Sequence, residues 1–180
     1  IDANGGVMFR DNDSSVTGQT GFYDIENGYA EIRGGVLRLV NGADVVTARD
    51  RMTYNALARE LKAFGDAVAV RGDDRLRGDV LIARFRPGRG REMELSQIEA
   101  QGNVRINTPT ETITGKTALY DARTNIATME GDVVITQGEN RLTGGRGQVN
   151  LNTNISTLFA DDNRETGSSP GRVKGVFFPK

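Results

Sequence analysis

A strand-and-turn unit recurs about every thirty residues along this chain, and no other feature restricts its fold as much. One copy reads Gly102-Asn103-Val104-Arg105-Ile106, a polar turn, Thr112-Ile113-Thr114-Gly115 and Ala118-Leu119-Tyr120-Asp121. The next copy, displaced by 29 residues, reads Gly131-Asp132-Val133-Val134-Ile135, a turn at Gln137-Gly138-Glu139-Asn140, Arg141-Leu142-Thr143-Gly144 and Gln148-Val149-Asn150-Leu151. Earlier copies run through Asp66 to Val70 and Ile82 to Phe85, and through Leu37 to Leu39, Val46 to Ala48 and Thr53 to Asn55. A partial first copy is closed by Phe22-Tyr23-Asp24. Gly18, Ala48, Gly78, Gly115 and Gly144 read as turn exits at intervals of 30, 30, 37 and 29 residues, and the long interval reads as a loop inserted at Arg86 to Arg91.

Within each unit apolar residues alternate with polar or small ones, as in Val68/Val70, Val104/Ile106 and Val133/Ile135. A period of two places them on one face of a β-strand. Asn41-Gly42 and Gly138-Glu139-Asn140 supply residues that accept positive φ in tight turns. Only Leu57, Leu61 and Phe64 have helical spacing, and the strand pattern is preferred there. A unit this short cannot bury its own apolar face, so neighbouring units must stack. The expected fold is all-β, with stacked antiparallel strands around a continuous apolar seam and terminal units that present unpaired edges. One domain is expected over residues 1–160, a Gly/Ser/Pro-containing linker over 161–171, and a C-terminal tail or last strand over 172–180.

Composition removes whole classes of function. The chain has 23 basic and 24 acidic residues, so no net field draws it to nucleic acid. It has no cysteine and no histidine, which removes thiolate metal sites, disulfides and the commonest general base. No metal site and no cofactor are expected. No apolar run approaches the roughly 20 residues needed to cross a bilayer, and a chain that opens on Ile1 reads as a mature product.

Catalysis would fall to carboxylates. Asp73-Asp74 and Asp161-Asp162 are the paired candidates, but both lie in polar turns where Asp commonly bonds the backbone. Ser14, Ser15, Ser168 and Ser169 have no histidine to activate them. Gly34-Gly35 and Gly144-Gly145-Arg146-Gly147 lack the Gly-Lys-Ser/Thr ending of a phosphate loop. The chain therefore reads as a non-enzyme. Between Arg71 and Arg91 it is locally basic, which reads first as a merely solvated loop and also suits an anionic head group or an acidic partner. Phe85 alone cannot form the stacking platform of a single-strand binder, so no nucleic-acid partner is expected.

The stretch Ala118-Leu119-Tyr120-Asp121-Ala122, Ala127 to Gly138, Asn140 to Gly144 and Val149 to Thr153 resembles the OstA-type domain of lipopolysaccharide transport proteins, the LptA family. The ending Gly171 to Pro179 is similar to tails of that family from alphaproteobacteria. The resemblance is strong from about Gly102 onward and weaker before Arg91. It implies a β-jellyroll, or β-taco, in the periplasm whose interior shields lipid A acyl chains. It also implies edge-strand pairing with LptC-like inner-membrane and LptD-like outer-membrane partners, and self-association. The Arg86 to Arg91 insertion does not belong to the family pattern.

On this reading lipopolysaccharide is the ligand, and the lining is expected at Leu37, Leu39, Val68, Val70, Val104, Ile106, Val133, Ile135 and Leu142. Anionic head groups are expected at Arg84, Arg86, Arg89 and Arg91. The competing readings are a self-assembling β-solenoid without lipid, an LptC-like periplasmic subunit, and a polysaccharide-acting β-helix enzyme built on Asp73 and Asp74.

Overall fold

The computed structural model describes residues 1–11, 14–88, 93–153, 155–160 and 172–176. Its strands are β1 (Asp2–Asp11), β2 (Ser14–Asp24), β3 (Tyr29–Arg33), β4 (Leu37–Asn41), β5 (Asp44–Ala48), β6 (Arg51–Asn55), β7 (Glu60–Arg71), β8 (Asp74–Pro87), β9 (Met93–Asn107), β10 (Thr112–Asp121), β11 (Ile126–Gln137), β12 (Asn140–Asn150), β13 (Ile155–Phe159) and β14 (Lys174–Val176). The protein is all-β. Every strand pair is antiparallel, and no helix occurs among the described residues. The segment with helical spacing is a turn over 56–59 that leads directly into β7.

The strands form two facing layers joined along a crease. β2 pairs through Ser14 to Thr17 with β4 and through Thr20 to Asp24 with β3. β7 likewise pairs with β5 near its end and with β6 near its start. From β7 to β12 each strand runs through both layers. β14 then extends the first layer and β13 the second, both on β12.

Interruptions of register mark the crease, falling between Phe64 and Ala67, between Thr114 and Thr117, and between Glu130 and Val133. Gly131 (φ 81) and Asp132 (φ 52) form one such bulge, which bends the strand sharply. Gly18, Gly78, Gly115 and Gly144 lie within their strands rather than at turn exits, which corrects the sequence reading, and the last two lie beside the crease. Their spacing reflects packing: a Cβ on Gly144 would sit 2.5 Å from the Phe159 carbonyl oxygen, and one on Gly115 would sit 2.6 Å from Met129 Cγ. The layers approach too closely there for any side chain. Small residues continue this close packing across the second layer, where Ala63, Ala100 and Ala118 are almost wholly buried.

The long interval in the repeat is an extension of the β8–β9 hairpin. Arg86 and Pro87, expected in an inserted loop, are strand residues paired with Glu94 and Met93. Arg89 and Arg91 lie outside the described residues, as does the expected linker over 161–171. No described helix is long and apolar enough to cross a membrane.

Candidate functional site

Strand register converts the alternating pattern into one apolar row that crosses the whole first layer. Phe9 pairs with Val16, Val16 with Leu39, Leu39 with Val46, Val46 with Ala69 and Ala69 with Leu76. Leu76 pairs with Ile106, Ile106 with Ile113, Ile113 with Ile135 and Ile135 with Leu142. All of these residues belong to the core or pack against it. The facing row of the second layer runs from Leu61 through Ala83, Ile98, Tyr120 and Ala127 to Val149.

The two rows enclose a cavity of ≈ 150 Å³, lined from one side by Leu39, Val46, Ala69, Leu76 and Ile106 and from the other by Leu61, Ala83, Phe85, Leu95, Ile98 and Tyr120. Toward the C-terminal end the layers close tightly where Ile113 and Ile135 meet Met129 and Val149. Transferring apolar surface out of water is favourable by about 25 cal/mol per Å², so this interior can hold hydrocarbon and offers little to a polar ligand.

Of the nine positions expected to line it, Leu37, Val104, Ile106, Val133 and Ile135 are buried in the core, and Leu39 and Leu142 are half-buried against it. Val68 and Val70 differ. Val68 pairs with Thr47 and Arg77 in a row on the outer face, while its neighbours Ala67 and Ala69 take the inward positions. Val70 is also absent from the core, although it reaches the cavity rim. The sequence reading also lacked the second-layer wall of Leu61, Ala83, Ile98 and Tyr120. The alternations Ile98-x-Ala100 and Ala118-x-Tyr120 carried that signal.

Polar groups gather at the mouth. Arg71 Nε donates to Asp44 Oδ1 at 2.7 Å and Arg71 Nη2 to Asp44 Oδ2 at 2.5 Å, which pushes the Arg71 guanidinium above its ordinary range. Tyr120, from the opposite layer, lines the same cavity and interacts with Arg71. Burial raises its phenol pKa and the guanidinium partly opposes that shift. The Tyr120 hydroxyl donates to Asn125 Oδ1, and Asn125 Nδ2 donates to Asn152 Oδ1 at 2.6 Å. A second bridge joins the layers where Ser156 Oγ, on β13, donates to Glu111 Oε1 in the β9–β10 turn.

The arginines expected to meet anionic head groups have internal partners. Arg84 pairs with Glu60 at 3.2 Å and Glu99 at 3.1 Å, and Arg86 with Glu94 at 3.2 Å. Hydrogen bonds from Gln101 and Arg84 hold the Glu99 carboxyl below its ordinary range. Asp73 and Asp74 sit at the β7–β8 hairpin turn, and no cluster able to hold a metal occurs among the described residues.

A solved structure similar to this chain is that of LptH of Pseudomonas aeruginosa, described as the LptA-homologous periplasmic component of the lipopolysaccharide transport device. The likeness has a TM-score of 0.39 at 14% identity and covers 92% of this chain and 95% of that one. No curated protein gives a significant match. The sequence profile of the family described as "LptA/(LptD N-terminal domain) LPS transport protein" matches residues 45–155 and 112–170, which include most of both walls of the cavity. This is a family of transport proteins rather than enzymes, and the chain belongs to it.

Proposed function

We propose that this protein is a periplasmic lipopolysaccharide carrier that shields lipid A acyl chains between its two layers and bridges inner- and outer-membrane export complexes. The observation that carries this reading is the unbroken inward row from Phe9 to Leu142, which faces an apolar wall across a cavity with a polar mouth. Acyl chains would lie along the row, and the sugar and phosphate part would stay outside in water. Ile106, Leu39 and Ile135 are the contacts this reading favours, with Tyr120 and Leu61 opposite them. LptC-like and LptD-like partners, or further copies of this chain, would add strands at the ends. β1, which pairs only with β2 among the described strands, suits such augmentation.

A photo-crosslinking residue at Ile106 should capture lipopolysaccharide in cells, and the same residue at Leu119, exposed on the outer face of the second layer, should not. Equal capture at both positions, or capture at neither, sinks the acyl-shielding assignment.

A further inference from the structure

We propose that the outer face of the first layer docks on an anionic lipid bilayer surface. Outward residues of that layer fall into two cross-strand rows. In one, Thr17 pairs with Arg38, Arg38 with Thr47, Thr47 with Val68, Val68 with Arg77, Arg77 with Arg105, and the row ends on Lys174 opposite Thr143. The other starts at Arg10, passes through Val40, Val45, Val70 and Arg75, and reaches Arg141. Every cation in these rows is exposed, and neither row holds an Asp or Glu over its paired residues. Among the described residues only Arg77 of this set has an ion-pair partner, Asp66.

The second layer shows the opposite arrangement. Its outward rows intersperse Glu31, Glu60, Glu99 and Glu130 with cations, and the Glu60, Arg84 and Glu99 side chains neutralise one another. In a chain of net charge −1, the two outward rows of the first layer are thus cationic while those of the second are mixed. Folding separates charges that the sequence intermixes.

Charge complementarity and shape both favour a bilayer as occupant. Strands lie about 4.8 Å apart, so rows that each cross ten strands extend roughly 43 Å. That length suits a surface, not a single anion, and because the rows then lie parallel to the bilayer, docking belongs to the chain outside the bridge of the proposed function. Half-buried Val40, Val45, Val68 and Val70 lie between the guanidinium groups and present short apolar side chains to an interface. The rows contain no aromatic residue on which a nucleobase could stack. The inward row and these outward rows lie on opposite faces of the same strands, and Val45, Val70 and Arg75 also reach the cavity rim, so docking is tested apart from the cargo with variants that leave those three untouched.

The test is co-sedimentation of the full chain with vesicles of phosphatidylcholine, alone or mixed with phosphatidylglycerol. Binding is expected only to the mixed vesicles and is expected to weaken as salt rises. A surface cation near an anionic leaflet contributes roughly a factor of five, so the R38Q/R105Q/R141Q variant should lose about a hundredfold in affinity. Its melting temperature and lipopolysaccharide loading should match the parent. The R33Q/R49Q/R123Q variant, altered off that face by the same charge, should bind as the parent does. Equal binding to both vesicle types, equal loss in the two variants, or tighter binding to a single-stranded oligonucleotide than to the mixed vesicles overturns the proposal. Vesicle binding that persists in a protein unable to load lipopolysaccharide would uphold it and count against the carrier function alone.

Discussion

The Ser156 hydroxyl, on β13 in the second layer, donates a hydrogen bond to the Glu111 carboxylate at the tip of the first layer. Forty-five residues separate the two in sequence, and the bond spans the mouth of the interior. Arg71 and Tyr120 meet across the same mouth nearer the cavity. An acyl chain that enters from the side has to part these contacts. Because the chain has no native cysteine, Glu111→Cys with Ser156→Cys can be joined by a short bismaleimide. The joined protein should load lipopolysaccharide at least about tenfold less, a change of about 1.4 kcal/mol, while either single variant loads normally. Normal loading of the joined protein would show that lipid enters by another path.

The contrast between Val104-x-Ile106 and Val68-x-Val70 shows how much of the site was legible in the sequence. In the former, Asn103 and Arg105 flank the apolar pair, so only one face can be buried. In Ala67-Val68-Ala69-Val70 both alternations are apolar, and hydrophobicity alone favours the larger side chains. Register decides otherwise. The hairpin pairs Arg71 with Asp74, which sets Ala69 opposite Leu76, and Leu76 must face inward because Arg75 and Arg77 cannot. That inference was within reach of the sequence. The cationic outer face and the bridges over the mouth were not, because each joins residues from strands whose pairing becomes known only with the fold.

Filling the cavity separates its use from its contribution to stability. Ala69 lines the open part of the interior, and Ala69→Leu adds three carbon atoms to a space of ≈ 150 Å³. Placed in existing room, that side chain should change stability by less than about 1.5 kcal/mol, measured by urea unfolding. Lipopolysaccharide capture by a probe at Ile106 should fall at the same time. A well-folded variant that still captures lipid normally at Ile106 would remove this cavity from the acyl path.

The crease has a different sensitivity. Gly144→Ala places a Cβ 2.5 Å from the Phe159 carbonyl oxygen, a backbone atom of the neighbouring strand that cannot swing aside. Relieving that overlap means moving β13 away from β12, at a cost of roughly 1–3 kcal/mol. At Gly115 the nearest atoms belong to the flexible Met129 side chain, so Gly115→Ala should cost less. Chemical denaturation of both variants checks the order, and equal losses would mean that the layers yield as readily as a methionine.

Asp74 gives the fold a pH dependence opposite in sign to that of a stabilising carboxylate. Burial first, and the neighbouring Asp73 second, raise its pKa from the ordinary 3.8. Ionising it therefore works against the folded state. The penalty is absent below pH 3.8, grows as pH rises through the raised folded value, and is complete above it. Asp74→Asn removes the charge, so the variant should unfold at higher urea than the parent at pH 7, and the two midpoints should converge below pH 3.8. Asp74 is partly exposed, which keeps the gain small. A gain of the same size at both pH values would trace the effect to hydrogen bonding by the amide instead of to the buried charge at the cavity rim.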